Sequence, residues 1–477
     1  MATVRSLVPA RMDRLPWSAF HTRLVLALGI TWVLDGLEIT IASLIGPVLQ
    51  STQTLALSSA DVGRAASVYL IGEVAGALVF GYLSDRLGRR RLFIATLALY
   101  LVANGLTALA FDYTTLVVLR FFAGAGIGGE YAAINSAIDE LIPARYRGHT
   151  DLAINGTYWL GALIGALAET LLLDPTVLPV NVGWRIGLLI GPLIGVGIWG
   201  LRRALPESPR WLLVRGHAAE AEATVARIEE DLLARGYELA PVDATLALEV
   251  RPARAMGYAT LARVLFARYP SRSVLSLALM CTQSFLYNAI FFTYGLVLTH
   301  FYGVQPADVP HYFYLFALGN LLGPLTIGRF FDTIGRRQMI TATYVTSGVL
   351  LAVSGLLFAR GALGAWSQAA WWSATFFVGS AAASSAYLTV SEIFPLEIRA
   401  QAIAFFFALA QLVGASGPWI FGHLIGDLAH PDPARLFVGY LFGAAMMIAG
   451  GVVEAAVGVK AERASLESLA APLSRVD

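Results

Sequence analysis

The stretch "LRFFAGAGIGGEYAA", Leu119 to Ala133, carries a literal G-x-G-x-x-G at Gly124, Gly126 and Gly129, with two charges, Arg120 and Glu130, among apolar neighbours. Such a run reads in two ways. The glycines either form a turn that cradles a dinucleotide's phosphates, or they thin one face of a helix so that another can approach. The first reading needs a strand before the run and a helix starting after it. Here the apolar stretch continues on both sides, over about 114–142, with no strand–turn–helix unit around it. The glycines therefore read as a helix–helix seam, and a nucleotide site is set aside.

Composition puts that helix in a membrane. Of 477 residues, 57% are hydrophobic and only 14% charged, with mean hydropathy +0.67; soluble domains carry roughly 25% charged residues. A formal net charge of +1 supplies no basic field for nucleic acid. The single Cys281 excludes a disulfide framework or a cysteine metal cluster, and no metal or cofactor is expected. Arg5, Arg11 and Arg14 precede an apolar run too long for a signal-peptide core, so it reads as a retained first span.

A span needs about 20 mostly apolar residues. Twelve stretches qualify: 22–49, 61–84, 92–111, 114–142, 151–173, 184–204, 271–302, 309–331, 338–359, 365–391, 398–426 and 434–456. Alternate connections hold Arg86 and Arg89–Arg91, then Arg145 and Arg147, Arg202, Arg203 and Arg210, and Arg336 and Arg337. The opposite connections, such as "STQTLALSS" and "DPTVLPVNVG", hold no Lys or Arg. The positive-inside rule then puts both termini and the middle loop in the cytoplasm. Residues 205–270 form the one long break, and "PESPRWLLVRGHAAEAEATVARIEEDLLARG" within it has helical periodicity with a start after Pro209. The expected layout is a six-helix unit over 1–204, an amphipathic cytoplasmic linker over 205–270, and a second six-helix unit with a short tail over 271–477.

The two units repeat each other. "GYLSDRLGRR" from Gly81 recurs as "GRFFDTIGRR" from Gly328, and "ELIPARYR" from Glu140 recurs as "EIFPLEIR" from Glu392. The offsets, 247 and 252 residues, are what one duplication leaves.

With Pro206-Glu207-Ser208-Pro209-Arg210-Trp211-Leu212 after the sixth span and Arg120-x-x-x-Gly124-x-Gly126-x-Gly128 in the fourth, these motifs resemble the major facilitator superfamily, in particular its sugar-porter-like branch. The resemblance covers essentially the whole chain. It implies an all-α membrane protein of twelve transmembrane helices in two pseudo-symmetric six-helix bundles. These would rock about a central site lined by spans 1, 4, 7 and 10.

Charges inside spans are costly and mark function. Asp35 and Glu38 share a face of the first span at i,i+3. At 1.5 Å per residue Glu38 lies about 24 Å from the cytoplasmic edge and Arg120 about 9 Å from the outer edge. In a core about 30 Å thick the two can pair. Glu38, Asp35 and Arg120 are the candidate proton-coupling set, because burial and a like charge raise a carboxyl pKa while an Arg lowers it. Gly36-Leu37-Glu38 is also similar to the G-x-D of proton-coupled sugar porters, with Glu in place of Asp; D-G-x-E looks more like organic-acid symporters.

Glu130, near mid-membrane, reads equally as a contact to substrate, especially a cation, or a bond to a neighbouring helix. Glu73, in a Gly72/Gly76 seam, reads first as a packing hydrogen bond. Glu169 and Glu454, near span ends, read as solvated or snorkelling. Asn155, Tyr158 and Trp159, with Gln283, Tyr287 and Asn288, form polar-aromatic faces that must look toward protein or water, and Tyr387 in "ASSAY" sits where sugar porters carry a different motif. Substrate contact and plain interhelical bonding stay open for these, as do sugar and organic acid for the cargo. Asp85, Arg89, Glu140, Arg147, Glu207, Arg210, Asp332, Arg336, Glu392 and Arg399 are implied by the resemblance to lock a cytoplasmic gate through ion pairs.

The expected function is secondary active transport, a proton symport of a small polar metabolite across a bacterial inner membrane by a monomer. A uniporter, an exporter of small organic molecules, or a membrane sensor on a transporter fold are the alternatives. No H-E-x-x-H, G-x-S-x-G or Walker A motif occurs, which argues against an enzyme or an ATP-driven pump.

Overall fold

The computed structural model describes residues 4–49, 52–57, 59–172, 177–203, 206–250, 257–304, 308–425, 432–471 and 473. Among the described residues the fold is helical apart from one antiparallel pair, β1 (Val4–Ser6) and β2 (Leu248–Val250). The first helices are α1 (Val8–Asp13), α2 (Ala19–Leu44), α3 (Gly46–Leu49), α4 (Ser59–Leu87), α5 (Arg89–Thr107) and α6 (Tyr113–Leu141). There follow α7 (Ala144–Gly156), α8 (Tyr158–Leu172), α9 (Val180–Arg203), α10 (Pro209–Val214), α11 (Ala218–Ala234) and α12 (Tyr258–Arg263). The second half holds α13 (Pro270–Tyr302), α14 (Val309–Thr333), α15 (Arg336–Ala359), α16 (Ala365–Ile393), α17 (Arg399–Gly414), α18 (Ser416–Ile425), α19 (Pro433–Val457) and α20 (Leu466–Leu469).

Helices fall on each of the twelve apolar stretches, and three of the stretches are broken, the first into α2 and α3 at Ile45. The fifth divides into α7 and α8 at Thr157, and the eleventh into α17 and α18 at Ala415. Both of these later breaks carry a hydroxyl that donates to a carbonyl three residues back, Thr157 to Ile154 at 2.5 Å and Ser416 to Val413 at 2.6 Å. Such back-bonding competes with the helical ladder and bends it. Among the described residues, α2, α9, α13, α15 and α19 are long and apolar enough to cross a membrane by length and composition.

Packing repeats in the order of the duplication. α4 lies along α6 and α5 along α9, just as α14 lies along α16 and α15 along α19. The G-x-G-x-x-G run sits within this scheme. A Cβ at Gly124 would meet the Tyr69 carbonyl oxygen at 2.2 Å, and one at Gly128 the Glu73 carbonyl oxygen at 2.0 Å. Gly72 and Gly76 of α4 return the contact against the Phe121 and Ala125 carbonyls of α6. Only hydrogen fits at such a seam. The two sets of helices meet where α7 and α8 touch α14, where α4 and α6 touch α17, and where α16 touches α6 and α7.

Between the sets, α10 and α11 are separated by Gly216 with φ +85°. The N-terminal helix α1 is fastened to α11 by charge: Arg11 pairs with Glu222 and Glu229 at 2.5 Å each, and Arg14 with Glu229 at 2.6 Å. Burial alone would push the Glu229 carboxyl up, but the hydrogen bonds from Arg11 and Arg14 and their charges hold it below the usual 4.5.

Candidate functional site

A cavity of about 790 Å³ lies between the two sets of helices. Its wall takes residues from α2, α4 and α6–α9 on one side and from α13, α16 and α17 on the other. Asn155, Tyr158, Trp159, Gln283, Tyr287, Asn288 and Tyr387 all lie on that wall. Glu130 is buried but is not among the lining residues. Helix geometry explains this: Tyr131, eleven residues after Arg120, returns to the same face of α6, whereas Glu130 is turned about 80° away.

Aromatic rings build much of the wall. Trp32 sits 4.6 Å from the Tyr131 ring, Tyr131 stacks on Tyr387 at 6.4 Å, and Trp159 lies 5.9 Å from Tyr287. Trp32, Tyr69, Tyr131, Glu73 and Gln411 line the cavity and were not read as site residues. Two carried a usable signal: Trp32 precedes Asp35 at i,i+3, and Tyr131 shares Arg120's helical face.

The charges of α2 and α6 sit beside this cavity. Arg120 lines it and donates through Nη1 to Glu38, and its guanidinium lies over the Tyr69 ring, 4.1 Å from the centroid. Glu38, 1% exposed, also accepts from Asn104 Nδ2 at 2.5 Å, and the same amide donates to the Leu188 carbonyl at 3.0 Å. Asp35, 2% exposed, accepts from the Tyr131 hydroxyl. Both carboxylates thus stand one layer behind the wall and reach it through Arg120 and Tyr131. Glu73 makes the interhelical hydrogen bond expected of it, accepting from Gln411 Nε2 across the two sets at 3.4 Å, and it also lines the cavity. Glu454 is fully buried, with neither carboxylate oxygen hydrogen-bonded among the described residues. This corrects the snorkelling expectation: α19 ends against Gly458, where the chain folds back over that carboxylate. Glu169 is half-buried.

A second charge cluster closes one end of the molecule. Within the first set Arg89 pairs with Glu140 at 2.8 Å, and within the second Arg336 pairs with Asp332 at 2.6 Å and Glu392 at 3.2 Å. The duplicated E-x-x-P-x-x-x-R motifs then cross over. Arg147 reaches Glu392 at 3.6 Å, and Arg399 reaches Glu140 at 3.9 Å. The His149 amide donates to Asp332 at 2.7 Å. A Cβ at Gly148 would fall 2.0 Å from Arg336 Nη1, so the closed arrangement needs glycine there.

Of these groups, Arg89, Glu140, Arg147, Arg336, Glu392 and Arg399 are all buried. The ends of the chain bury them. Asp13 at the end of α1 bonds Arg210 at 2.8 Å and Arg147 at 3.6 Å, and Glu467 of α20 bonds Arg210 at 3.1 Å. Burial works against the Arg210 charge, but Asp13 and Glu467 hold its pKa above the usual arginine value. Glu207 accepts the Arg89 amide at 2.9 Å, and burial pushes its carboxyl up. The Asp85 side chain lies outside the described residues.

Comparison with known proteins agrees with this architecture. The family described as "Sugar (and other) transporter" matches residues 41–461. The chain is 26% identical over 461 residues to the niacin transporter NiaP of Acinetobacter baylyi, covering 96% of this chain and 99% of that protein. Over a shorter 200 residues it is 34% identical to organic cation/carnitine transporter 7 of Arabidopsis thaliana, covering 42% of this chain and 38% of that protein. Among solved structures, the proton:xylose symporter XylE bound to 6-bromo-6-deoxy-D-glucose superposes with a TM-score of 0.77 at 20% identity, covering 94% of this chain and 98% of XylE. The chain therefore belongs to the family of sugar and other transporters, as a multi-pass membrane carrier that moves a small metabolite by secondary transport and not an enzyme that converts one.

Proposed function

We propose that the protein is a proton symporter that carries a small polar metabolite inward through the central cavity by alternating access. The observation that carries this reading is the buried Glu38–Arg120 pair with Asp35 beside it, one side chain away from the cavity wall. An arginine shared between a carboxylate and a movable wall gives that carboxylate two proton affinities. A paired Arg120 favours the charged form of Glu38, and an Arg120 drawn away leaves burial to favour the neutral one. Asp35, a turn away on the same helix, makes the group titrate as a unit.

The chain reads as twelve spans in two six-helix bundles, over 1–204 and 271–477, joined by a cytoplasmic helical linker over 205–270. The stretches below the apolar threshold are in the main those that line the cavity or meet across the two sets, where polar faces look at protein or water and not at lipid. Both termini lie on the cytoplasmic face of a bacterial inner membrane, beside the Arg-rich connections. The buried ion-pair cluster is the cytoplasmic gate, closed in this structure, and the working unit is a monomer.

The relatives' names span niacin, organic cations and carnitine, and xylose, so the cargo class rests on the site itself. The test of coupling is uptake by proteoliposomes under an imposed pH gradient, inside alkaline. Wild-type protein accumulates its cargo, whereas Glu38→Gln retains exchange but loses accumulation. Accumulation at the wild-type level in Glu38→Gln would remove Glu38 from the mechanism.

A further inference from the structure

We infer that Glu73 is the recognition residue for a positively charged group on the cargo, so that the cavity takes an organic cation. This deepens the symport reading and rests on the cavity being the cargo site.

The wall holds two charged side chains among the described residues, Glu73 and Arg120. The positive one is already committed, to Glu38 through Nη1 and to the Tyr69 ring by stacking. The negative one forms no ion pair among the described residues, although the Arg120 charge and the Tyr69 hydroxyl lie within reach of it. Glu73 is 1% exposed, its Oε2 accepts one long bond from Gln411 at 3.4 Å, and its Oε1 finds no hydrogen-bond partner among the described residues. Gln411 is itself held, because its Oε1 accepts from Ser284 at 3.0 Å. One carboxylate oxygen is thus oriented from behind, while the other, on a side chain that lines the cavity, accepts no hydrogen bond among the described residues. Out of water a carboxylate keeps its charge only beside a partner of opposite sign, which a cationic cargo would supply.

The duplication supplies an internal control. Glu73 stands eight residues before Gly81, and Asn320 stands eight residues before Gly328. Asn320 is fully buried and fully bonded: its Oδ1 accepts from Tyr287 at 2.7 Å and its Nδ2 donates to Phe316 at 2.9 Å. A neutral amide therefore suffices where this helix position only has to pack. The first half carries a charge there, with an oxygen to spare.

The surroundings suit a cation as well. Tyr69 lies one turn before Glu73, and Tyr131, Tyr158 and Tyr387 lie within electrostatic reach of its carboxylate. Ring faces around an anionic point attract a soft cation such as an alkylated or ring ammonium. They offer little to a second anion.

Three probes of one shape separate the possibilities: 1-methylnicotinamide (cation), nicotinamide (neutral) and nicotinate (anion). Binding of each is measured to full-length protein in nanodiscs. The cation should bind tightest, and Glu73→Gln should weaken it about tenfold to a hundredfold, what remains of a charge–charge attraction once desolvation is offset, with the other two unchanged. Glu73→Asp, which keeps the charge, should retain the preference and shows that the site survives substitution.

Tightest binding of nicotinate or nicotinamide overturns the inference. So does cation affinity indifferent to Glu73→Gln, or folded protein that binds none of the three. Cation uptake that ignores an imposed pH gradient would defeat the coupling reading and leave this one standing. Uptake of nicotinate that is driven by pH and unaffected by Glu73→Gln would do the reverse.

Discussion

Replacing both crossing arginines, Arg147→Gln with Arg399→Gln, should open the closed end of the molecule. Their partners are Glu392 at 3.6 Å and Glu140 at 3.9 Å. At an effective dielectric constant of about 20, each contact is an attraction of about 4–5 kcal/mol. Most of that is offset by taking the arginine out of water, which costs several kcal/mol per ion. Moreover, each glutamate keeps an arginine from its own half, Arg336 at 3.2 Å and Arg89 at 2.8 Å, so removing the crossing arginine strands no bare anion. The net bias toward the closed state is then about 1–2 kcal/mol per contact, set by the difference between those two quantities. The two contacts share no side chain, so their effects add. Together they shift the ratio of closed to open molecules by about 30-fold to 1000-fold, at 1.4 kcal/mol per factor of ten.

The lone native cysteine makes the assay clean. In a Cys281→Ser background a reporter cysteine replaces Ser384 on the cavity wall. Inside-out vesicles are then treated with a membrane-impermeant thiol reagent, which reaches Ser384→Cys only through an open cytoplasmic end. The double variant should label faster by at least an order of magnitude, each single variant by the square root of that factor. A double variant labelled at the parental rate would refute the assignment of these motifs as a gate. A rate no greater than that of the stronger single variant would refute the additivity.

Four further outcomes follow from particular contacts. Gly148→Ala drives a Cβ into the Arg336 guanidinium, already held by Asp332 and Glu392, and should raise the same cytoplasmic labelling; an unchanged rate would mean the two can separate freely. Gly128→Ala sets a Cβ 2.0 Å from the Glu73 carbonyl oxygen, and overpacking against backbone costs about 1–3 kcal/mol, so the melting temperature in detergent should fall. Glu454→Leu removes a buried carboxylate with no hydrogen bond among the described residues, worth about 1–3 kcal/mol; melting at neutral pH should rise, and a fall would show the carboxylate to be paired in the membrane. Glu229 is held below the usual 4.5 in the fold, so its contribution is present above pH 4.5 and lost as pH falls through its lowered value; hydrogen exchange of α1 should rise on that descent, and in Glu229→Gln it should already be raised at neutral pH and show no such rise.

What the sequence made legible follows from how far each signal reaches. Helix existence and the α4–α6 seam are local: runs of apolar residues and glycines at i,i+4 state them directly. The approach of Glu38 to Arg120 needed only the direction of two helices and the rise per residue. The breaks at Thr157 and Ala415 were missed because they depend on one hydroxyl each, inside runs that stay apolar. The burial of the gate was missed for the opposite reason. Asp13 and Glu467 come from the two ends of the chain, and nothing in the local pattern around either one points to Arg210. The β1–β2 pairing joins residues 4–6 to 248–250 and has the same long reach. Trp32 and Tyr69 were passed over because a single aromatic in an apolar helix has the same periodicity whether it faces a cavity or a neighbour.

A duplication by itself would leave two copies of every feature, and the departures from that rule separate two tasks. The charge cluster proposed as the gate kept both copies: Glu140 and Arg147 answer Glu392 and Arg399, and each pair reaches the other half. A gate must close by bringing two bodies together, so symmetry is of use there. The midplane kept one. Against Arg120, Glu130 and Glu73 of the first half, the equivalent places in the second hold Trp372, Ala382 and Asn320. Two midplane ion pairs would double the cost of buried charge and would make each half release its proton independently of the other. With the ionisable groups confined to one half and the hydrogen-bonding face of Gln283, Tyr287 and Asn288 on the other, cargo that touches both walls ties the charge state of the first to the position of the second. On that reading, Asn320→Asp should impair transport more than an equally conservative change on the exterior of α14, because it would restore the symmetry that coupling requires to be broken.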